Sequence, residues 1–81
     1  MDKTKQALKN LDDWSKSLSN AIQIYSPQII EALNKDIPLP EGCPSRASLA
    51  DLVLGKIYEK LSEVNASYKY LNDCIWEEEK N

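Results

Sequence analysis

The stretch KDIPLPEGCPSRAS, residues 35–48, holds three of the four prolines, one of the two glycines and one of the two cysteines in this 81-residue chain. Proline lacks a backbone amide donor and disfavours helix in the residue before it, and Gly42 adds backbone freedom. Ser45 or Ser48 can cap a following helix, and Asp51 stands three residues after Ser48 as in a capping box. The stretch therefore predicts the end of one helix, a turn and the start of another.

Apolar residues on both sides of this stretch recur in alternating steps of three and four, which is the seam of a heptad repeat. The first arm, residues 3–35, places Ser15 in its one gap, beside Trp14, and has seam residues Leu8, Leu11, Leu18, Ile22, Tyr25, Ile29 and Ala32. The second arm, residues 46–78, has seam residues Ala47, Ala50, Leu54, Ile57, Leu61, Val64, Tyr68, Leu71 and Ile75. Such a period predicts helices whose axes cross at a small angle and that wind around each other with a left-handed twist.

The two arms have nearly equal length, so the chain is expected to fold back near residue 41. Positions whose numbers sum to roughly 82 or 83 then face each other at equal rise per residue, which pairs Leu11 with Leu71 and Ser15 with Tyr68. The lysines near the N-terminus also come to lie beside Asp73 and the acidic end 77–79. We predict an all-α antiparallel helical hairpin, a single domain over 1–81 with a proline-rich loop at 36–45. In it, Ser15→Leu should overpack the layer shared with Tyr68.

Pro27 interrupts the first arm and leaves two alternatives. In the stretch YSPQII, Ser26 can cap a new helix with Pro27 at its first position. The seam nevertheless keeps its register from Ile22 through Tyr25 to Ile29. This favours a kinked continuous helix, or two collinear helices, over a corner that would fold the first arm back.

Two arms alone leave apolar residues uncovered, which predicts self-association, with a dimer favoured, or docking on another helical protein. A helical bundle would result. Tryptophan and tyrosine are enriched among the residues that anchor interfaces. The candidate interface residues are Trp14, Ile24, Ile30, Leu52, Tyr58, Tyr70 and Trp76.

Composition argues against several functions. The chain has a net charge of −3, no histidine and two cysteines, so we expect no nucleic-acid partner, no zinc site, no cofactor and no enzymatic activity. Cys43 and Cys74 are separated by too much helix for an intrachain disulfide. Gly55 indicates either close approach of another backbone or a tolerated surface glycine. Without a run of 18 apolar residues or an apolar signal core, we expect a cytoplasmic protein with no membrane association.

Three functions remain. The first is a small acidic binding protein of the inhibitor, immunity, anti-defence or chaperone-type adaptor classes, which share its size and helical character. The second is structural: DDW at 12–14 and ALNK at 32–35 resemble secretion-needle subunits, which implies a filament-forming hairpin, although the acidic end WEEEKN departs from that pattern. The third is an oligomer that sequesters a small ligand such as a nucleotide, in pockets lined by tyrosines, lysines and Arg46.

Overall fold

The computed structural model describes residues 2–80 and contains two α-helices. Helix α1 spans Asp2–Leu33 and helix α2 spans Arg46–Lys80. They run antiparallel along a molecule of 60 × 19 × 13 Å, and no strand occurs in the described part of the chain. The all-α hairpin is thereby confirmed, with α1 ending two residues before the predicted boundary.

Contacts between the helices fix their register. Leu11 packs against a cluster of Ala7, Leu71 and Cys74 at the open end of the hairpin, and Lys3 Nζ lies 3.2 Å from Glu77 Oε2. Facing positions thus have numbers that sum to about 80 to 82, close to the predicted sums. The packing of Leu11 against the cluster that contains Leu71 agrees with the predicted pairing of these two residues.

Helix α1 continues through Pro27 without a break. Proline cannot donate to the carbonyl four residues earlier. The hydroxyl of the preceding residue, Ser26, donates to the Ile22 carbonyl at 2.5 Å, a local bond that helices tolerate with slight bending. One uninterrupted helix excludes a corner at this proline.

Ser45 precedes α2 and caps its first turn. Its side-chain Oγ accepts a hydrogen bond from the Ser48 amide at 3.1 Å, and its carbonyl accepts one from the Leu49 amide at 3.2 Å. This is the arrangement of an N-cap residue. Just before it, the Cys43 amide donates to the Pro40 carbonyl at 3.1 Å, and Gly42 has a φ of 82°. A type II turn requires such a φ at its third residue, which is why glycine stands there.

Arg46 joins the two helices at the loop. Its guanidinium donates to the carbonyls of Ala32 at 3.5 Å and Lys35 at 3.4 Å, and also to that of Ile37. The last carbonyls of a helix have no partner within the helix. The first residue of α2 therefore satisfies carbonyls at and just beyond the end of α1.

About half of the residues predicted to lie between the helices are displaced by one position from the residues that actually lie there. The expected residues Leu8, Ile22, Leu54, Leu61, Tyr68 and Ile75 are exposed. The side chains turned toward the other helix in their place are Ala7, Trp14, Ala21, Val53, Lys60, Ser67 and Cys74, all buried or half-buried. Several of these are small, and small side chains allow two helices to pack closely while larger neighbours lie at the sides of the contact.

The predicted layer of Ser15 and Tyr68 is also corrected. Ser15 is exposed, and Tyr68 retains 62% of its accessible surface. Neither residue fills a core layer, so a leucine at position 15 would meet solvent within the hairpin instead of an overfilled core.

Candidate interaction surfaces

Heptad letters give a name to each side of the hairpin. Positions a and d form the contact between the helices: in α1 residue 11 is a and 14 is d, and in α2 residue 64 is a and 67 is d. Positions e and g lie on either side of this contact. Because the helices are antiparallel, the e positions of both helices share one side of the molecule and the g positions share the other. The ion pair between Lys3 and Glu77 joins two g positions and confirms this geometry.

The e side is a nearly continuous apolar surface, here called the flanking strip. The strip comprises eight e positions, with Ala47 at the start of α2 left out, and it includes no charged residue, although 28% of the chain is charged. Six of the eight are large apolar residues with 40–62% of their surface exposed. The strip consists of Leu8, Ser15, Ile22 and Ile29 from α1 and Leu54, Leu61, Tyr68 and Ile75 from α2.

The g side, by contrast, carries charges that lie over aromatic rings. Lys3 Nζ lies 5.9 Å from the centre of the Tyr70 ring, and Lys56 Nζ lies 5.3 Å from that of Tyr25. Lys60, a d residue, extends over Trp14 at 5.5 Å. These lysines cover ring faces that would otherwise contact solvent.

The hydrogen bond from Lys3 to Glu77, together with the negative charge of that carboxylate, raises the pKa of the Lys3 ammonium. A raised pKa means that the stabilising contribution is complete below the lysine's unfolded pKa and is lost as the pH rises through the folded one. The contribution of the Lys3 ammonium is therefore present at neutral pH and is lost in alkaline solution. Both partners are exposed, so its effect is mainly on orientation.

The loop end has two shallow cavities with volumes of about 280 and 570 Å³. They share Pro40 and Leu49 as walls. The smaller is lined further by Ala32, Ile37, Pro38 and Val53, and the larger by Leu52, Cys43 and Pro44. Together they form an apolar surface at the tip of the molecule, here called the loop-end surface.

Acidic residues surround the loop-end surface. Glu31 lines the smaller cavity, and Glu41 and Asp51 line the larger one. The one cation in these walls, Arg46, is engaged with three backbone carbonyls. The surface thus combines an apolar centre with a negative rim.

The candidate interface residues predicted from the sequence do not share one face. Trp14 is half-buried between the helices under Lys60, and Tyr70 lies beside Lys3 on the g side. Leu52 lines the larger loop-end cavity. The remaining four are exposed at different positions around and along the hairpin: Ile24, Ile30, Tyr58 and Trp76.

Sequence reasoning missed the flanking strip because it assigned the strip's residues to the seam. The sequence does contain a signal for the strip, because the e positions form a heptad series of apolar residues that lies one residue after the d series. Reasoning from sequence also placed Arg46 in a ligand pocket, whereas its guanidinium caps α1.

The remaining site chemistry is sparse. Within residues 2–80, no three histidine, cysteine or carboxylate side chains are arranged to hold a metal ion. Cys43 and Cys74 are both free thiols. Neither α1 nor α2 is long and apolar enough to cross a membrane.

Comparison with known proteins gives no relative: the chain matches no protein-family model, and neither the curated proteins nor the solved structures contain a significant match.

Proposed function

We propose that this protein is a non-enzymatic acidic binding protein that inserts its loop-end surface into a groove on a basic partner protein. The observation that carries the proposal is the pair of adjoining apolar cavities at the tip, walled by Pro40 and Leu49 and rimmed by Glu31, Glu41 and Asp51. This arrangement suits the inhibitor, immunity, anti-defence and chaperone-type adaptor classes, in which occlusion of a partner's groove is the activity.

The charge distribution supports a basic partner. The chain carries a net charge of −3, and three acids border the cavities while their only cation is occupied. Such a rim accelerates encounter with a basic surface and disfavours acidic ones. The partner is therefore a protein with an apolar groove bordered by lysine or arginine.

The backbone of the tip is anchored by several local interactions. They are the capped helix start at Ser45, the turn at Gly42 and the three bonds of Arg46. A preformed surface loses little conformational entropy on binding, which favours affinity.

The test begins with capture of the partner from the native host by the tagged full-length chain, followed by binding measurements with the purified partner. Leu52→Lys, at a side chain with 70% exposure in the larger cavity, should weaken binding at least tenfold. Ile24→Lys, at a similarly exposed side chain in the middle of α1, is the matched control and should bind as the wild type does.

Two results would contradict the proposal. One is a partner whose affinity is unchanged by Leu52→Lys, and the other is an affinity that does not fall as salt screens the acidic rim. Assembly of the purified chain into filaments without any partner would instead favour the structural-subunit hypothesis.

A further inference from the structure

The hairpin has too much surface for a compact protein of its size. A folded monomer of 9.2 kDa is expected to expose roughly 4,900 Å². The isolated chain exposes 6,213 Å², an excess of roughly 1,300 Å² over that value. A stable protein interface buries about 800 Å² on each partner. The excess is thus large enough for one such interface.

The side chains that are buried are few and mostly small. Among the described residues they are Ala7, Ala21, Ala32, Leu71 and Cys74. Burial of whole large side chains is the main stabilising contribution in proteins. In this hairpin nearly all the large aliphatic residues are exposed or only partly buried, so a single copy leaves much of that contribution unused.

The heptad pattern indicates what covers the flanking strip. Apolar residues at a and d alone are typical of a two-stranded coiled coil, whereas apolar residues at a, d and e are typical of helices in a bundle. Helix α1 has the wider pattern over most of its length, whereas α2 is apolar at a and e but carries Lys60 and Ser67 at d. The antiparallel geometry unites the apolar e positions of both helices on one side. A layer of two further helices would complete a four-helix bundle.

A second copy of the same chain fits this requirement. An interface of two-fold symmetry joins the same patch on both subunits, so the patch must be self-complementary. The strip contains no charge that would repel or be left unpaired on meeting itself. The broad face that it occupies measures 60 by 19 Å, which exceeds the area that each partner of a stable dimer buries.

We infer that the flanking strip is the interface of a homodimer, in which two hairpins pack strip against strip as a four-helix bundle. This inference is independent of the proposed function, because the strip runs along the e side and the loop-end surface lies at the tip. The dimer would present two loop-end surfaces to partner proteins.

Sedimentation equilibrium at micromolar concentration tests the inference first. The wild-type chain should have twice the monomer mass of 9.2 kDa. Ile22→Glu places a carboxylate in the strip and should raise the dimer dissociation constant at least a hundredfold. Ile24→Glu makes the same change on the opposite side of α1, at another exposed isoleucine, and should leave the dimer intact.

A second pair of variants tests the interface without risk of unfolding. Ser15 is the one polar residue of the strip apart from the Tyr68 hydroxyl, and Ser15→Leu should tighten the dimer at least tenfold because each copy buries an additional apolar side chain. Asn20→Leu is the matched control, since Asn20 is also an exposed polar residue of α1 but occupies a c position, away from the strip; its dissociation constant should equal that of the wild type.

A wild-type chain that is monomeric at micromolar concentration would overturn the inference. So would a dimer that Ile22→Glu leaves intact, or one that Ser15→Leu weakens or leaves unchanged. Open-ended growth into larger assemblies would also overturn it, because the proposed interface is closed.

Discussion

Replacement of Arg46 tests whether the closed end of the hairpin depends on one side chain. In Arg46→Met the apolar stem is kept and all the guanidinium donors are lost. The bonds to Ala32 and Lys35 are long, at 3.5 and 3.4 Å, and contribute little, which leaves the bond to the Ile37 carbonyl as the main interaction. A charge-assisted hydrogen bond contributes about 1.5–3 kcal/mol. Because the site is only partly buried, we expect a loss of about 2 kcal/mol in the free energy of unfolding.

The loss is large relative to the stability of such a chain, since a domain of this length is stabilised by about 4–12 kcal/mol. Urea unfolding followed by far-ultraviolet circular dichroism measures it, at one fixed protein concentration because dimerisation would add stability. Arg46→Lys should lose about half as much, because an ammonium cannot span several carbonyls as a guanidinium does.

Lys35→Met is the matched control for loss of a cation at this end of the molecule. Only the Lys35 carbonyl takes part in the Arg46 contacts, so its side chain should be replaceable within about 0.5 kcal/mol. The free energy of unfolding of Arg46→Met could instead lie within that same margin of the wild-type value. In that case the guanidinium does not hold the helices together, and Ser45 and the turn alone order the loop.

Two further substitutions and one reactivity measurement test the contact between the helices, the exposed surface of α2 at Gly55 and the two thiols. Ala21→Leu should destabilise the protein by about 1–3 kcal/mol, measured by urea unfolding, because Ala21 is buried at the close contact of the helices. Gly55→Ala should raise the thermal midpoint and stabilise by up to about 1 kcal/mol, because a Cβ there meets no atom within 4 Å; a lower midpoint would show that another copy approaches this glycine. Cys43 should react with a thiol reagent much faster than Cys74, which is 2% exposed, and equal rates in the native protein would contradict the packing of the open end.

The position of the turn and the antiparallel arrangement could be predicted from local chemistry. Three prolines within seven residues remove amide donors, and no packing interaction can restore them, so the helix had to end before the loop. Glycine at position 42 suits the positive φ of the turn. A serine cap was also predictable, although the choice of Ser45 over Ser48 needed the geometry of the helix start. Unbroken register across Pro27 correctly indicated a continuous α1.

The loop-end surface could be predicted only in part. Its acids, prolines and leucines are visible in the sequence, and Leu52 was among the candidate interface residues. The cavities themselves depend on how the loop folds over the ends of α1 and α2. That path is set by Arg46, whose three acceptors are backbone carbonyls and leave no trace in the sequence pattern.

By itself, the sequence determined that two long amphipathic helices pair antiparallel about a proline-rich turn, and it determined their register to within two residues. Only the tertiary structure decided which of two interleaved heptad series lies between the helices. Positions a and d recur along a helix in alternating steps of three and four residues, and so do positions a and e. Periodicity in the sequence therefore cannot distinguish the two series. Close packing of two helices selected the series with the smaller side chains, Ala7, Ala21 and Cys74, and left the larger one, with Leu8, Ile22 and Ile75, as the exposed strip.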